Sequence, residues 1–189
     1  ETQAEVLVKA YHCWGNLFAE KLDGAYAIAI WNDHKQELLL LRDRFGKKPL
    51  YYSFGVSGNS FYFGSNTQSI LQTRDVNTDI DPSALHFMYS LHAVVPAPFT
   101  ILKGIQKVEP GSYMVINSSG VATETSYWEL TAQRDYPEYD YQEWQEIIEG
   151  TLRSAIKKEM GFSNEKVGVL LSGGLDSTLI TALAIEEGV

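Results

Sequence analysis

Residues 170–179 read LLSGGLDSTL. Leu170 and Leu171 close an apolar run that begins at Val167, Ser172-Gly173-Gly174 makes a loop, and Asp176 opens a segment of helical composition. A continuous apolar run of this length reads as a strand buried on both faces. Strand 167–171, glycine loop and helix 176–187 together are the opening of a parallel α/β domain, where ligands collect at the carboxyl ends of strands. A single strand makes no stable sheet, so this one needs partners to cover its edge.

The loop suits an anion. Gly173 and Gly174 can adopt positive φ and allow close backbone approach. The helix start offers unpaired N–H groups and the positive end of its dipole. Ser172 and Ser177 add hydroxyl donors. The GxxxxGK[ST] pattern of the common phosphate loop is missing, and the acid Asp176 stands near where its lysine would be. A carboxylate in contact with phosphate repels it unless Mg²⁺ lies between, since magnesium favours a carboxylate plus phosphate oxygens. Plain N-capping of the helix by Asp176 is the alternative and needs no ligand.

Working back from the loop, Trp144, Ile147, Ile148, Leu152, Ala155 and Ile156 share one face of a long helix that Gly161 can end. Residues 129–140 (ELTAQRDYPEYD) are polar and without pattern, which places a domain boundary there. Upstream the texture is that of β-structure. Residues 25–31 (AYAIAIW) alternate, 37–41 (ELLLL) read as a buried strand, and 50–54 and 61–64 pair across the turn at 56–60. The expectation is one four-stranded antiparallel sheet over 25–65, then a short helix at 67–73. Asp81-Pro82 starts another helix, and strands follow at 112–116 and 121–125. At the front, Thr2-Gln3-Ala4-Glu5 fits a capping box, and Val6, Leu7, Ala10, Tyr11 and Trp14 form one helical face ended by Gly15.

The 189 residues permit one large or two small domains, with roughly 70% of the unfolded surface buried on folding. The net charge of -9, with no basic cluster beyond Arg42, Arg44, Lys47 and Lys48, argues against nucleic acid as a partner. The single cysteine, Cys13, excludes an internal disulfide and reads as a small, partly buried helix residue. No apolar run reaches 18 residues and no signal peptide is visible, so the setting reads as cytoplasmic, without a membrane.

SGGLDS (172–177) resembles the pyrophosphatase loop of the ATP-pyrophosphatase superfamily, whose members adenylate a carboxylate or carbonyl and release pyrophosphate. LDGAYAIAIW (22–31), RDRFGKKPLYY (42–52) and PAPFTILKGIQKVEPGSY (96–113) are similar to glutamine-dependent asparagine synthetases, and the segments occur in that family's order. HAVVPAPFTIL (92–102) further resembles the N-acetylglutaminylglutamine amidotransferase branch. On the residues alone, Arg42, Asp43 and Arg44 read equally as pocket support and as a plain turn.

The resemblance implies an α+β chain. Residues 1–128 would be the C-terminal portion of a class II glutaminase domain of the αββα N-terminal-nucleophile fold. Residues 129–140 would be a linker, and 141–189 the start of a parallel α/β ATP-pyrophosphatase domain. It implies glutamine, ATP with Mg²⁺, and a carboxylate acceptor, either aspartate or an acylated glutamine peptide; a homodimer is a candidate assembly. Leu170 and Leu171 would border the nucleotide. Ser172, Gly173, Gly174, Asp176 and Ser177 would hold pyrophosphate, Asp176 through Mg²⁺. No catalytic residue falls within 1–189. The family's N-terminal cysteine, its glutamine-binding arginine and its Asn-Gly oxyanion pair are expected before Glu1, and its adenine contacts and catalytic lysine beyond Val189. The expectation for the 189 residues alone is therefore inactivity. Gln3 matches the aspartate that binds the α-ammonium of glutamine in the family, and supplies no charge. Two other readings stand beside this one: a truncated or degenerate non-catalytic fragment, and a β-lactam-synthetase-like enzyme without glutaminase activity.

Overall fold

The computed structural model describes residues 2–132, 137–161 and 167–188. The chain divides into two compact units, Glu1–Thr131 and Ala132–Val189. The first unit is built of helix α1 (Gln3–Trp14), a 3₁₀ stretch (Gly15–Lys21), strands β1 (Ala27–Asn32), β2 (Glu37–Arg42), β3 (Tyr51–Phe54) and β4 (Phe61–Gly64), and short helix α2 (Thr67–Leu71). Helix α3 (Pro82–Ser90) and strands β5 (Gln106–Lys107), β6 (Ser112–Asn117) and β7 (Ala122–Ser126) complete it. The second unit holds α4 (Tyr141–Met160) and α5 (Leu175–Glu186).

Helix starts are set by the capping residues that the sequence supplies. The Thr2 hydroxyl accepts from Glu5 N while the Glu5 carboxylate accepts from Thr2 N, a reciprocal cap that satisfies two otherwise unpaired donors. Asp81 caps α3 by accepting from Ser83 N and Ala84 N, with Pro82 in the first helical turn. Asp140 and Glu143 repeat the reciprocal cap on α4.

The strands do not form one sheet over 25–65. They form two: an antiparallel sheet in the order β1-β2-β6-β7, and a three-stranded sheet in the order β4-β3-β5. The reason lies in β2, which is apolar at every second position on both faces. Leu39 and Leu41 face a cluster with Phe18 and Ala19, onto which Leu7, Ala10 and Tyr11 of α1 also pack. Leu40 faces the opposite cluster with Leu50, Tyr52, Val108, Met114 and Ile116. A strand buried on both faces needs a layer on each side. The helical segments supply one, and β3 supplies the other by leaving the sheet of β2 after the bend at 43–48. The place beside β2 goes to β6, with Leu39 opposite Val115 and Leu41 opposite Tyr113. Leu40 and Leu41 are fully buried. Each contributes roughly 1.5–3 kcal/mol of burial energy.

Three other expectations are corrected. Cys13 is exposed, because it lies on the side of α1 away from the sheet. Residues 167–171 adopt no regular structure, and Leu170 and Leu171 are 96% and 60% exposed. A strand requires a partner for its backbone N–H and C=O groups, and among the described residues this run has none. The N-cap of α5 is Gly174 rather than Asp176, which lies inside the first turn. Within the stretch 129–140, residues 133–136 lie outside the described residues.

Candidate functional site

The loop at 172–177 is a small hydroxyl-braced turn. Ser172 Oγ and Ser177 Oγ lie 2.9 Å apart, and Ser172 N donates to Ser177 Oγ at 3.3 Å. Ser177 Oγ and Thr178 Oγ1 both donate to the Gly174 carbonyl, at 3.2 and 2.8 Å. Gly173 has φ +83, a conformation that a side chain would strain. Gly174 begins the helix with extended backbone and no side-chain cap. The first-turn N–H groups of α5 therefore have neither an intrahelical partner nor a capping oxygen, and they point out of the helix end. Serine and glycine together thus build a start that leaves donors open to an acceptor from outside.

Asp176 stands in that first turn, the one acid there. Among the described residues no group of three or more His, Cys, Asp or Glu side chains could enclose a metal ion. A lone carboxylate with neighbouring hydroxyls does not make a closed cation cage. It fits a magnesium ion that brings phosphate oxygens and water as its remaining ligands.

The predicted residues Ser172, Gly173, Gly174, Asp176 and Ser177 are brought together in this one turn. Leu170 and Leu171 precede it in irregular, exposed backbone. Gln3 belongs to the first unit, exposed in the opening turn of α1.

The 42–48 segment is spent on architecture. Arg42 donates from Nε to Lys48 O, from Nη1 to Val108 O and from Nη2 to Gly46 O. The Asp43 carboxylate is 1% exposed and accepts from the N–H groups of Tyr26, Phe45, Lys47 and Lys48. Tyr127 donates its hydroxyl to Arg42 O at 2.8 Å and meets the Tyr26 hydroxyl at 2.9 Å. Burial, with the Tyr26 hydrogen bond, pushes the Tyr127 phenol well above its ordinary value. Burial likewise pushes Tyr26 up and holds Lys107 below the usual lysine range. Sequence reading missed the four-donor role of Asp43, because nothing in RDR distinguishes an inward carboxylate from a surface turn. It also missed Arg153, whose only signal was Glu149 four residues earlier.

An antiparallel two-sheet unit followed by a helical unit makes this a mixed α/β chain. Residues 1–128 match the family of glutamine amidotransferase domains, and the chain belongs to that family. Residues 148–188 match asparagine synthase, so the loop lies within that region. Among similar proteins, asparagine synthetase [glutamine-hydrolyzing] 1 of Bacillus subtilis is 32% identical over 98% of this chain and 28% of its own length. Asparagine synthetase [glutamine-hydrolyzing] 3 of Bacillus subtilis is 29% identical, over 97% of this chain and 29% of its own length. Amidase chry2 of Gibberella zeae is 26% identical over 99% of this chain and 27% of its own length. The chain thus spans less than a third of the length of these relatives.

Proposed function

We propose that this chain is part of a glutamine-dependent amidotransferase that uses ATP, releases pyrophosphate and amidates a carboxylate, as asparagine synthetases do. In this reading residues 1–128 are the C-terminal portion of an αββα glutaminase domain. Residues 129–140 link it to the start of an ATP-pyrophosphatase domain at 141–189. The α1 layer, the two sheets packed through Leu40 and Tyr52, and the contact of α2 with β3 and β4 support the αββα assignment. The names of the relatives favour the amidotransferase over a degenerate fragment or a β-lactam-synthetase-like enzyme.

The observation that carries the proposal is the uncapped start of α5 inside the asparagine synthase match. The N–H groups of the first turn, with the Ser172 and Ser177 hydroxyls, bind pyrophosphate oxygens. Gly173 permits the bend that brings backbone close to them. Asp176 orients the cation side of the site, and Leu170 and Leu171 border the nucleotide. Mg²⁺, when bound, neutralises charge as pyrophosphate departs. Donors fixed by the helix need no reorganisation at that moment, which is how such a site favours the transition state. The acceptor is aspartate or an acylated glutamine peptide. The segment HAVVPAPFTIL (92–102) favours the peptide. Gln3, lacking charge, makes at most a hydrogen bond to glutamine. A cytoplasmic setting is part of this proposal; separately, no described helix is long and apolar enough to cross a membrane.

The test is pyrophosphate release by the complete protein, dependent on glutamine and on the acceptor. Asp176→Ala should reduce turnover at least a hundredfold. Unchanged turnover in that variant would refute the assignment.

A further inference from the structure

Helix α5 is held at one end. Its buried residues, Leu183 and Ala184, lie near its C-terminus, while Leu175, Leu179 and Ile180 nearer the loop are 84%, 44% and 42% exposed. The last turn has no basic residue, and the acids Glu186 and Glu187 stand at its end. Acids there face the negative end of the helix dipole and disfavour the helix. A helix of 12 residues is also marginal alone, more so with β-branched Thr178, Ile180, Thr181 and Ile185.

Helix α4 supplies the missing cations. Arg153 Nη2 lies 2.5 Å from Glu186 Oε2, and Nη1 lies 3.4 Å from Glu187 Oε1. Lys157 Nζ lies 3.0 Å from Glu187 Oε2, and the Glu187 side chain is 14% exposed. The Arg153 fork is set in advance by Glu149 on its own helix, through Nε at 2.9 Å. Exposed ion pairs usually contribute little. Here a preset guanidinium meets two acids at once, one of them well covered, which is the arrangement in which geometry counts.

We propose that Arg153 is a positioning residue: with Lys157 it fixes the C-terminal end of α5 on α4, and thereby fixes where the 172–177 loop presents its N–H groups to pyrophosphate. The proposal rests on the pyrophosphate reading given above. The lever is long. At 1.5 Å per residue, the loop end lies about 16 Å from Glu186, so a pivot of about 10° moves it by about 3 Å. That displacement exceeds the tolerance of a hydrogen bond between pyrophosphate seated on the loop and any group held elsewhere in the complete protein.

The experiment uses the complete protein, with inorganic pyrophosphate and Mg²⁺ as the probe. Amide hydrogen exchange over 176–188 and calorimetric pyrophosphate affinity are measured for the wild type, Arg153→Met, Arg153→Lys and Glu186→Gln. Arg153→Met keeps the apolar stem and removes the fork. It should speed exchange in α5 at least tenfold and weaken pyrophosphate at least fivefold. Arg153→Lys should recover part of both, and Glu186→Gln, which leaves α4 untouched, should shift both in the same direction as Arg153→Met. Unchanged exchange in Arg153→Met and Glu186→Gln would overturn the docking role. Faster exchange with unchanged affinity would overturn the positioning role. A complete wild-type protein that binds no pyrophosphate, while the variants still show the exchange response, would instead refute the assignment of the loop.

Discussion

Replacing Asp43 tests the central claim about the first unit. Its carboxylate accepts at 2.9 Å from both Lys47 N and Lys48 N, at 3.2 Å from Phe45 N and at 3.3 Å from Tyr26 N. Hydrogen bonds to a charged acceptor contribute about 1.5–3 kcal/mol each. Two here are short and two are long, and after Asp43→Ala water can reach the amides of exposed Lys47 and Lys48 but not readily that of Tyr26. Taking about 1.5 kcal/mol for each of the longer Tyr26 and Phe45 bonds, and partial recovery by water of the Lys47 and Lys48 bonds, Asp43→Ala should cost about 3–5 kcal/mol. Asp43→Asn keeps one acceptor oxygen but turns an NH₂ group toward two N–H donors, so about 2–3 kcal/mol is expected. With an urea m-value of about 2 kcal/mol/M, the Ala variant should lower the unfolding midpoint by about 2 M. Tryptophan fluorescence reports it, since Trp128 packs on Phe45 of the same loop. A midpoint within about 0.5 M of wild type, at unchanged m-value, would refute the view that Asp43 holds the bend between the sheets.

Three further outcomes are expected. The Asp75 carboxyl is held below the usual carboxylate range by Ser57 N–H and Oγ–H, with the Tyr62 hydroxyl adding to them. Its contribution is present above the unfolded value of about 4 and fades as pH falls through the folded value. Amides of β3 and β4 should lose exchange protection there in the wild type but not in Asp75→Asn. Burial, with Glu124 and Glu109 nearby, pushes Tyr52 up to about 12. Its contribution is complete below the unfolded value of about 10 and is lost between there and the folded value. Tyr52→Phe should therefore make the alkaline fall in melting temperature shallower. Finally, Gly111 has φ +65, and a Cβ there would stand 2.6 Å from Trp128 O, whereas Gly120, at φ +78, has nothing within 4 Å. Gly111→Ala should cost roughly 2–4 kcal/mol and Gly120→Ala roughly 1, read as urea midpoints.

Element types were legible because their causes are local. The reciprocal cap at Thr2 and Glu5, the Asp81-Pro82 start and the alternation in 25–31 each determine a helix end or a strand within a few residues. Sheet membership was not legible. ELLLL announces a strand buried on both faces, yet pattern alone does not reveal that its second neighbour is β6, more than 70 residues on, rather than β3. The same limit hid the pairing of Tyr26 with Tyr127, a contact across 101 residues. At the loop, the glycines and serines were legible as a turn that opens a helix. The run 167–171 was legible as a strand only in its hydrophobicity, because a strand is completed by neighbours that its own residues do not specify.

The two most telling motifs behave in opposite ways, and the difference bears on how each signals function. In RDRFGKKPL the charges are consumed internally: Arg42 satisfies three carbonyls and Asp43 four amides, so the bend carries β3 out of the sheet of β2 and into the second layer. Such a motif serves the architecture and says nothing of the acceptor. In SGGLDS the hydroxyls bond only within the turn, the helix has no side-chain cap, and the first-turn donors stay open. Gly174 supplies no side-chain acceptor, and a capping serine or aspartate at that position would stabilise the helix by roughly a few tenths of a kcal/mol. The start of α5 is thus left with backbone donors unmet by its own side chains, and on the function proposed above a ligand bearing several acceptor oxygens would meet them.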